Sequence, residues 1–94
     1  MSGNPQRIIV TVVGHDRTGI IAEVSRVLAD AGVNILDISQ TLLGEFFVMI
    51  LLGDMGRASV GLDVLKEQLA SKAQALGLRI DAQHEDVFKF MHRV

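Results

Sequence analysis

Between Arg7 and Val13 the chain reads RIIVTVV, with β-branched residues at both alternating sets of positions, the pattern of a strand covered on both faces. Gly14 is expected to end that strand, and His15, Asp16, Arg17 and Thr18 form a polar turn. Beyond it Ile20, Ile21, Val24, Val27, Leu28 and Ala31 recur at the 3.6-residue period, with Glu23, Ser25, Arg26 and Asp30 on the opposite side, which predicts an amphipathic helix. Asp16 or Thr18 is positioned to cap its start, and Gly32 stands where a left-handed residue closes a helix. The next extended segment, Val33 to Leu43, is polar in its middle at Asp37, Ser39 and Gln40, which suits a sheet edge or a polar interface. Gly44 and Glu45 make a tight turn into Phe46–Leu52, again apolar on both faces and therefore central.

After a loop at Gly53, Asp54, Met55 and Gly56, a second helix is expected from about Ser59 to Leu76. Its buried stripe is Leu62, Leu65, Leu69, Ala73 and Leu76, and Gly77 ends it. From Leu78 to Glu85 the chain alternates, with Leu78, Ile80 and Ala82 inward and Arg79, Asp81 and Gln83 outward, as in a half-solvated edge strand. Val87, Phe88 and Met91, with Phe90 and Val94 nearby, fit one face of a short terminal helix, so the expected core spans 7–85 and a C-terminal segment spans 86–94. The order β-α-β-β-α-β is an α+β, ferredoxin-like plan: a four-stranded antiparallel sheet with two helices on one face, first and third strands central. The outer face of such a sheet carries alternate residues of two strands that are apolar on both sides. A second copy or the C-terminal segment is needed to cover it.

Composition sharpens this picture. Ninety-four residues make one domain. A core this small is marginal alone, and without cysteine there is neither disulfide nor thiolate metal site to reinforce it. The apolar share is 49% and mean hydropathy is +0.37, with only four aromatic residues, all Phe. Aliphatic surface in that excess points to a homodimer or a higher homo-oligomer. A net charge of −2 gives no pull toward nucleic acid or anionic lipid, and the longest apolar run, Phe46 to Leu52, is too short to span a bilayer as a helix. The polar start, Met1 to Gln6, has no apolar signal core, so the expected location is the cytoplasm.

The chemically informative stretch is Gly14-His15-Asp16-Arg17-Thr18-Gly19-Ile20-Ile21, which leaves a central strand and enters a helix start. Backbone amides and the dipole there favour an anion, and Gly14 and Gly19 leave room for close approach. A ligand carboxylate fits on the amides around Thr18 to Ile20. Asp16 can accept from an amino group, and Asn34 can both donate and accept. These parts suit a free amino acid; equally, Asp16 can be a plain helix cap and the glycines plain turn residues.

GHDRTGII, an amphipathic helix and then AGVNILDISQT together resemble the ACT domain, a regulatory amino-acid-binding module, over residues 7–85. Val33-Asn34-Ile35 through Asp37-Ile38-Ser39-Gln40-Thr41 is closest in kind to the small stand-alone members, including the group similar to the glycine-cleavage regulator. The resemblance implies a ligand held between subunits, touched by Gly14, Asp16, Gly19 and Ile20 of one copy and by Asn34 and Ile35 of another; His15 and Thr18 join the candidates by their place in the same turn. Two positions depart from the family's pattern: Thr18 stands where many members have Pro, and Gly14 replaces a polar residue found in some serine-binding members.

Other candidates are weaker. His15 can tune anion affinity or be a solvated turn residue. His84 and His92 lack ligand-like spacing, so no metal is expected, nor any other cofactor. Phe46 and Phe47 point to opposite faces, and Met49, Met55 and Met91 read as packing residues. Lys66, Glu67 and Lys72 read as a solvated helix face. No nucleophile–base pair is visible and an acylphosphatase-type glycine-rich loop is absent, so catalysis is not expected. Two functions remain: a homodimeric amino-acid sensor, or a protein-interaction or regulatory subunit without a small ligand.

Overall fold

Gly14 does not end the first strand. In the computed structural model, which describes residues 6–87, β1 runs Arg7–His15. Gly14 stays in register opposite Phe47. The leucine that opens the last strand segment explains the glycine: a Cβ at position 14 would collide with Leu78 Cδ2. The residue is there for clearance, not for a turn.

The remaining elements are α1 (Ile20–Asp30), β2 (Asn34–Leu43), β3 (Phe46–Asp54), α2 (Leu62–Leu76) and β4 (Arg79–His84). They form one antiparallel sheet of order β2-β3-β1-β4, which makes β1 and β3 central and β2 and β4 the edges, as strand polarity suggested. The β2–β3 hairpin turns on Gly44 and Glu45, with positive φ at Gly44 alone. β2 carries a register shift between Ile35 and Asp37. Residues 85–87 are helical; the rest of the terminal helix expected from Phe88, Phe90, Met91 and Val94, and His92 with it, lies outside the described residues.

Both helices lie on one face. Ile8, Val10 and Val12 of β1 and Phe47, Met49 and Leu51 of β3 meet Ile20, Val24 and Leu28 of α1 and Leu65 and Leu69 of α2. Each such side chain, taken from water, stabilises the fold by about 2 kcal/mol. No polar or charged residue is buried among the described residues, so the core is held by packing alone. Ion pairing adds at the rim, where Lys72 Nζ lies 3.0 Å from Glu23 Oε1 and joins α2 to α1. Lys72 is therefore not just part of a solvated face.

Three local expectations need correction. α2 begins at Leu62, not near Ser59, because the Ser59 N–H and Oγ both donate to Ala31 O, at 2.8 and 3.3 Å, and hold that segment against the end of α1. Neither Asp16 nor Thr18 caps α1: the N-cap is Gly19, and no side chain bonds to the first-turn amides. Ile21, assigned by periodicity to the core face, is exposed, while Ile20, Val24 and Leu28 fill that core.

The outer sheet face matches its sequence pattern. Ile9, Thr11 and Val13 pair with Leu52, Ile50 and Val48 to form an apolar stripe. Asp37, Ser39 and Thr41 flank it on β2, and Arg79, Asp81 and Gln83 on β4. Val13, Ile50 and Phe46 are each at least 40% exposed.

Candidate functional site

The turn after β1 is pinned at both sides. Asp16 N–H donates to Glu45 O at 3.0 Å, which ties it to the β2–β3 hairpin. Arg17 Nη1 donates to Leu76 O at 3.3 Å, at the C-terminal end of α2, where a cation is favoured by the exposed carbonyls. Gly19 then adopts φ 92° and ψ 0°, a conformation that side-chain-bearing residues rarely take, and the chain enters α1. Glu23 N–H reaches Gly19 O at 2.9 Å. The amides ahead of it, from Ile20 to Ala22, have no acceptor one turn back.

That helix start opens into a cleft of about 830 Å³ bounded by α1 on one side and by β2 and β3 on the other. Asp16, Arg17, Gly19 and Ile20 line its turn end, Ile21 and Ala22 continue along α1, and Gln40, Thr41, Leu42 and Phe47 form the sheet wall. The wall exists because β2 is an edge that the helices do not cover. Ile38, Gln40 and Leu42 pair with Leu51, Met49 and Phe47 and so face the helix layer, yet all three are exposed. The volume is within the range of small-molecule sites.

Of the residues singled out in the sequence, Asp16, Gly19 and Ile20 meet at this cleft. Thr18 sits in the exposed turn beside it but not on its wall. Gly14 lies beneath Leu78. His15 is opposite Phe46, its ring 4.9 Å from the phenyl centroid and tilted by 38°. Because successive strand residues alternate, that pair belongs to the outer face. Asn34 is at the other end of β2, where with Gly32, Asp54, Gly56 and Arg57 it borders a second depression of about 580 Å³; Ile35 follows it in the strand. One chain therefore does not bring Asn34 and Ile35 to the Asp16 turn.

Sequence reading missed the sheet wall. The polar stretch at Gln40 and Thr41 signalled an edge strand, but that the same edge closes a cleft against α1 is a tertiary fact. Among the described residues no group of three or more His, Asp or Glu side chains is placed to hold a metal ion, and no helix is long and apolar enough to cross a membrane.

A four-stranded antiparallel sheet with two helices on one face and a cleft at the first helix start defines a small ferredoxin-like module. The ACT domain family model matches residues 6–83, and the chain belongs to that family, whose members are regulatory domains. It is 49% identical over 88 residues to a UPF0237 protein of Methanocaldococcus jannaschii, covering 94% of this chain and 98% of that one. An ACT domain protein from Streptococcus pneumoniae superposes with a TM-score of 0.79 at 36% identity, covering 90% of this chain and 96% of that chain. A candidate glycine cleavage system transcriptional repressor superposes with a TM-score of 0.74 at 27% identity, and there the match covers 86% of this chain and 46% of the other.

Proposed function

We propose that this chain is a regulatory module that binds a free amino acid at the start of α1 and works as a homodimer or higher homo-oligomer, without catalysing a reaction. The observation that carries the reading is an uncapped helix start opening into a walled cleft beside a free sheet edge. Amides at Ile20 to Ala22 suit a carboxylate, and the Asp16 carboxylate suits an ammonium group.

Pairing of β2 with its own copy supplies the missing half. A two-fold axis normal to the sheet keeps both helix layers on one side, so residues facing one another across the new edge must share a pleat face. The register shift after Ile35 leaves Ile35, Ile38, Gln40 and Leu42 on the helix face. An axis at Ile38 sets Gln40 against Ile35 and Thr41 against Asn34 of the second copy. An axis at Ser39 sets Leu42 against Ile35 and Leu43 against Asn34. Either register brings Ile35 of one copy, on the helix face, to the cleft wall of the other, and Asn34 to the same edge from the outer face.

Ligand held across such a boundary stabilises the assembled form by its differential affinity, which is how a module without chemistry passes on a signal. Calorimetric titration with the twenty amino acids, alongside light scattering, tests the reading. Saturable binding by a dimer or larger assembly is expected; silence from all twenty at millimolar concentration, or a monomer at micromolar concentration, removes it. The exposed apolar stripe on the outer face favours the second reading, an interaction subunit with no small ligand. Asp16→Ala and Asn34→Ala separate the two, since a sensor loses its response and stays assembled, whereas an interaction subunit is unaffected.

A further inference from the structure

We infer that the ligand is an amino acid with a large apolar side chain, branched aliphatic or aromatic, not a small or acidic one; this rests on the amino-acid-binding reading and narrows it. The polar groups are gathered at one end of the cleft. Asp16 and the amides of the first α1 turn lie there, next to Gly19. Arg17 borders the same end, where its Nη1 donates to Leu76 O.

Away from that end the walls are hydrocarbon. Ile20, Ile21 and Ala22 line the helix side and Leu42 and Phe47 the sheet side, with Gln40 and Thr41 the only polar side chains between them. Ile20 and Phe47 are buried and form the floor, whereas Leu42 and Ile21 are held open to solvent at 57% and 36%. Two exposed aliphatic side chains facing a buried apolar floor gain most from an occupant that removes all of them from water together. A ligand anchored at the helix start by its α-carboxylate and by its ammonium at Asp16 would direct its side chain along this wall. The second copy adds Ile35 beside Gln40 or Leu42, again hydrocarbon. A serine hydroxyl or a second carboxylate would find donors only at Gln40 and Thr41, and burying it against Ile20, Ile21, Ala22, Leu42 and Phe47 is unfavourable.

Calorimetry on the intact protein with glycine, alanine, serine, aspartate, valine, leucine, isoleucine and phenylalanine tests this. Affinity is expected to rise about tenfold from alanine to valine and further to the larger apolar side chains, following the transfer of each added methylene from water. In Leu42→Gln, whose side chain carries little of the core, that rise should flatten, leucine, isoleucine and phenylalanine losing more affinity than alanine does. Because Leu42 also lies on the β2 edge, light scattering on the variant checks that affinities are compared between equal assemblies. Tightest binding by serine, glycine or aspartate, or a ranking unaffected by Leu42→Gln, overturns the inference and leaves the amino-acid reading standing. Silence from all eight overturns the inference, and silence from the remaining twelve as well overturns the amino-acid reading with it.

Discussion

At Gly14 and Gly19 the same residue type answers to different forces, and substitution separates them. Nothing lies within 4 Å of a Cβ at Gly19, so Gly19→Ala meets only the backbone penalty of its positive φ, about 1 kcal/mol. Gly14→Ala displaces the end of the Leu78 side chain, an overpacking cost of about 1 kcal/mol. Urea unfolding should show most of the Gly14→Ala loss relieved in a Leu78→Ala background, and none of the Gly19→Ala loss. A third residue sets a pH dependence. Glu23 is held below its ordinary value of 4.5 by its hydrogen bond and charge pairing with Lys72. A lowered carboxylate value means the contribution is complete above about 4.5 and fades as pH falls through the folded value. Thermal melts of Glu23→Gln should therefore differ from the parent near neutrality and converge with it on acidification; the gap is small because the pair is solvent-exposed.

Among the elements, β2 both walls the cleft and leaves a sheet edge free. Ile38 N–H donates to the Asp37 carboxylate at 2.9 Å, so it points along the free edge and not into the β3 ladder. Proline at such a position removes a donor that the sheet does not use. Ile38→Pro should lower unfolding free energy by about 1 kcal/mol or less while shifting light scattering to the monomer and abolishing amino-acid binding. A variant that still dimerises and binds would put the interface elsewhere. The helices were largely legible: the 3.6-residue period located both, and Gly32 and Gly77 close them at φ 81° and 70°. Their starts were not, because no capping side chain marks either one. Ser59 is held by Ala31 O, and α1 begins at a glycine with no side-chain cap.

For the whole molecule, linkage gives the clearest readout. A ligand at one hundred times its dissociation constant adds about 2.7 kcal/mol to the form that binds it. In a domain of this size that raises Tm by about 10 °C or more. Melts with saturating apolar amino acid should show the shift in the parent and lose it in Asp16→Ala. The outer face is a separate matter: the stripe through Val13, Ile50 and Phe46 is uncovered among the described residues and is apolar surface that a second copy, another protein or the C-terminal segment would cover.

Strand order, helix faces and the two-layer plan were determined by the sequence itself, because alternation and helical periodicity record which side of each element leaves water. The polar turn at Asp16 was visible for the same local reason. What only the tertiary structure decided is how separate segments meet: that Leu78 lies over Gly14, that Ile21 leaves the core for a cleft, and that Gln40 to Leu42 wall it. Those depend on side-chain volumes and on an edge strand left uncovered. Asn34 and Ile35 lie one level further out, because a single copy holds them at the opposite end of β2 from the turn they were expected to join.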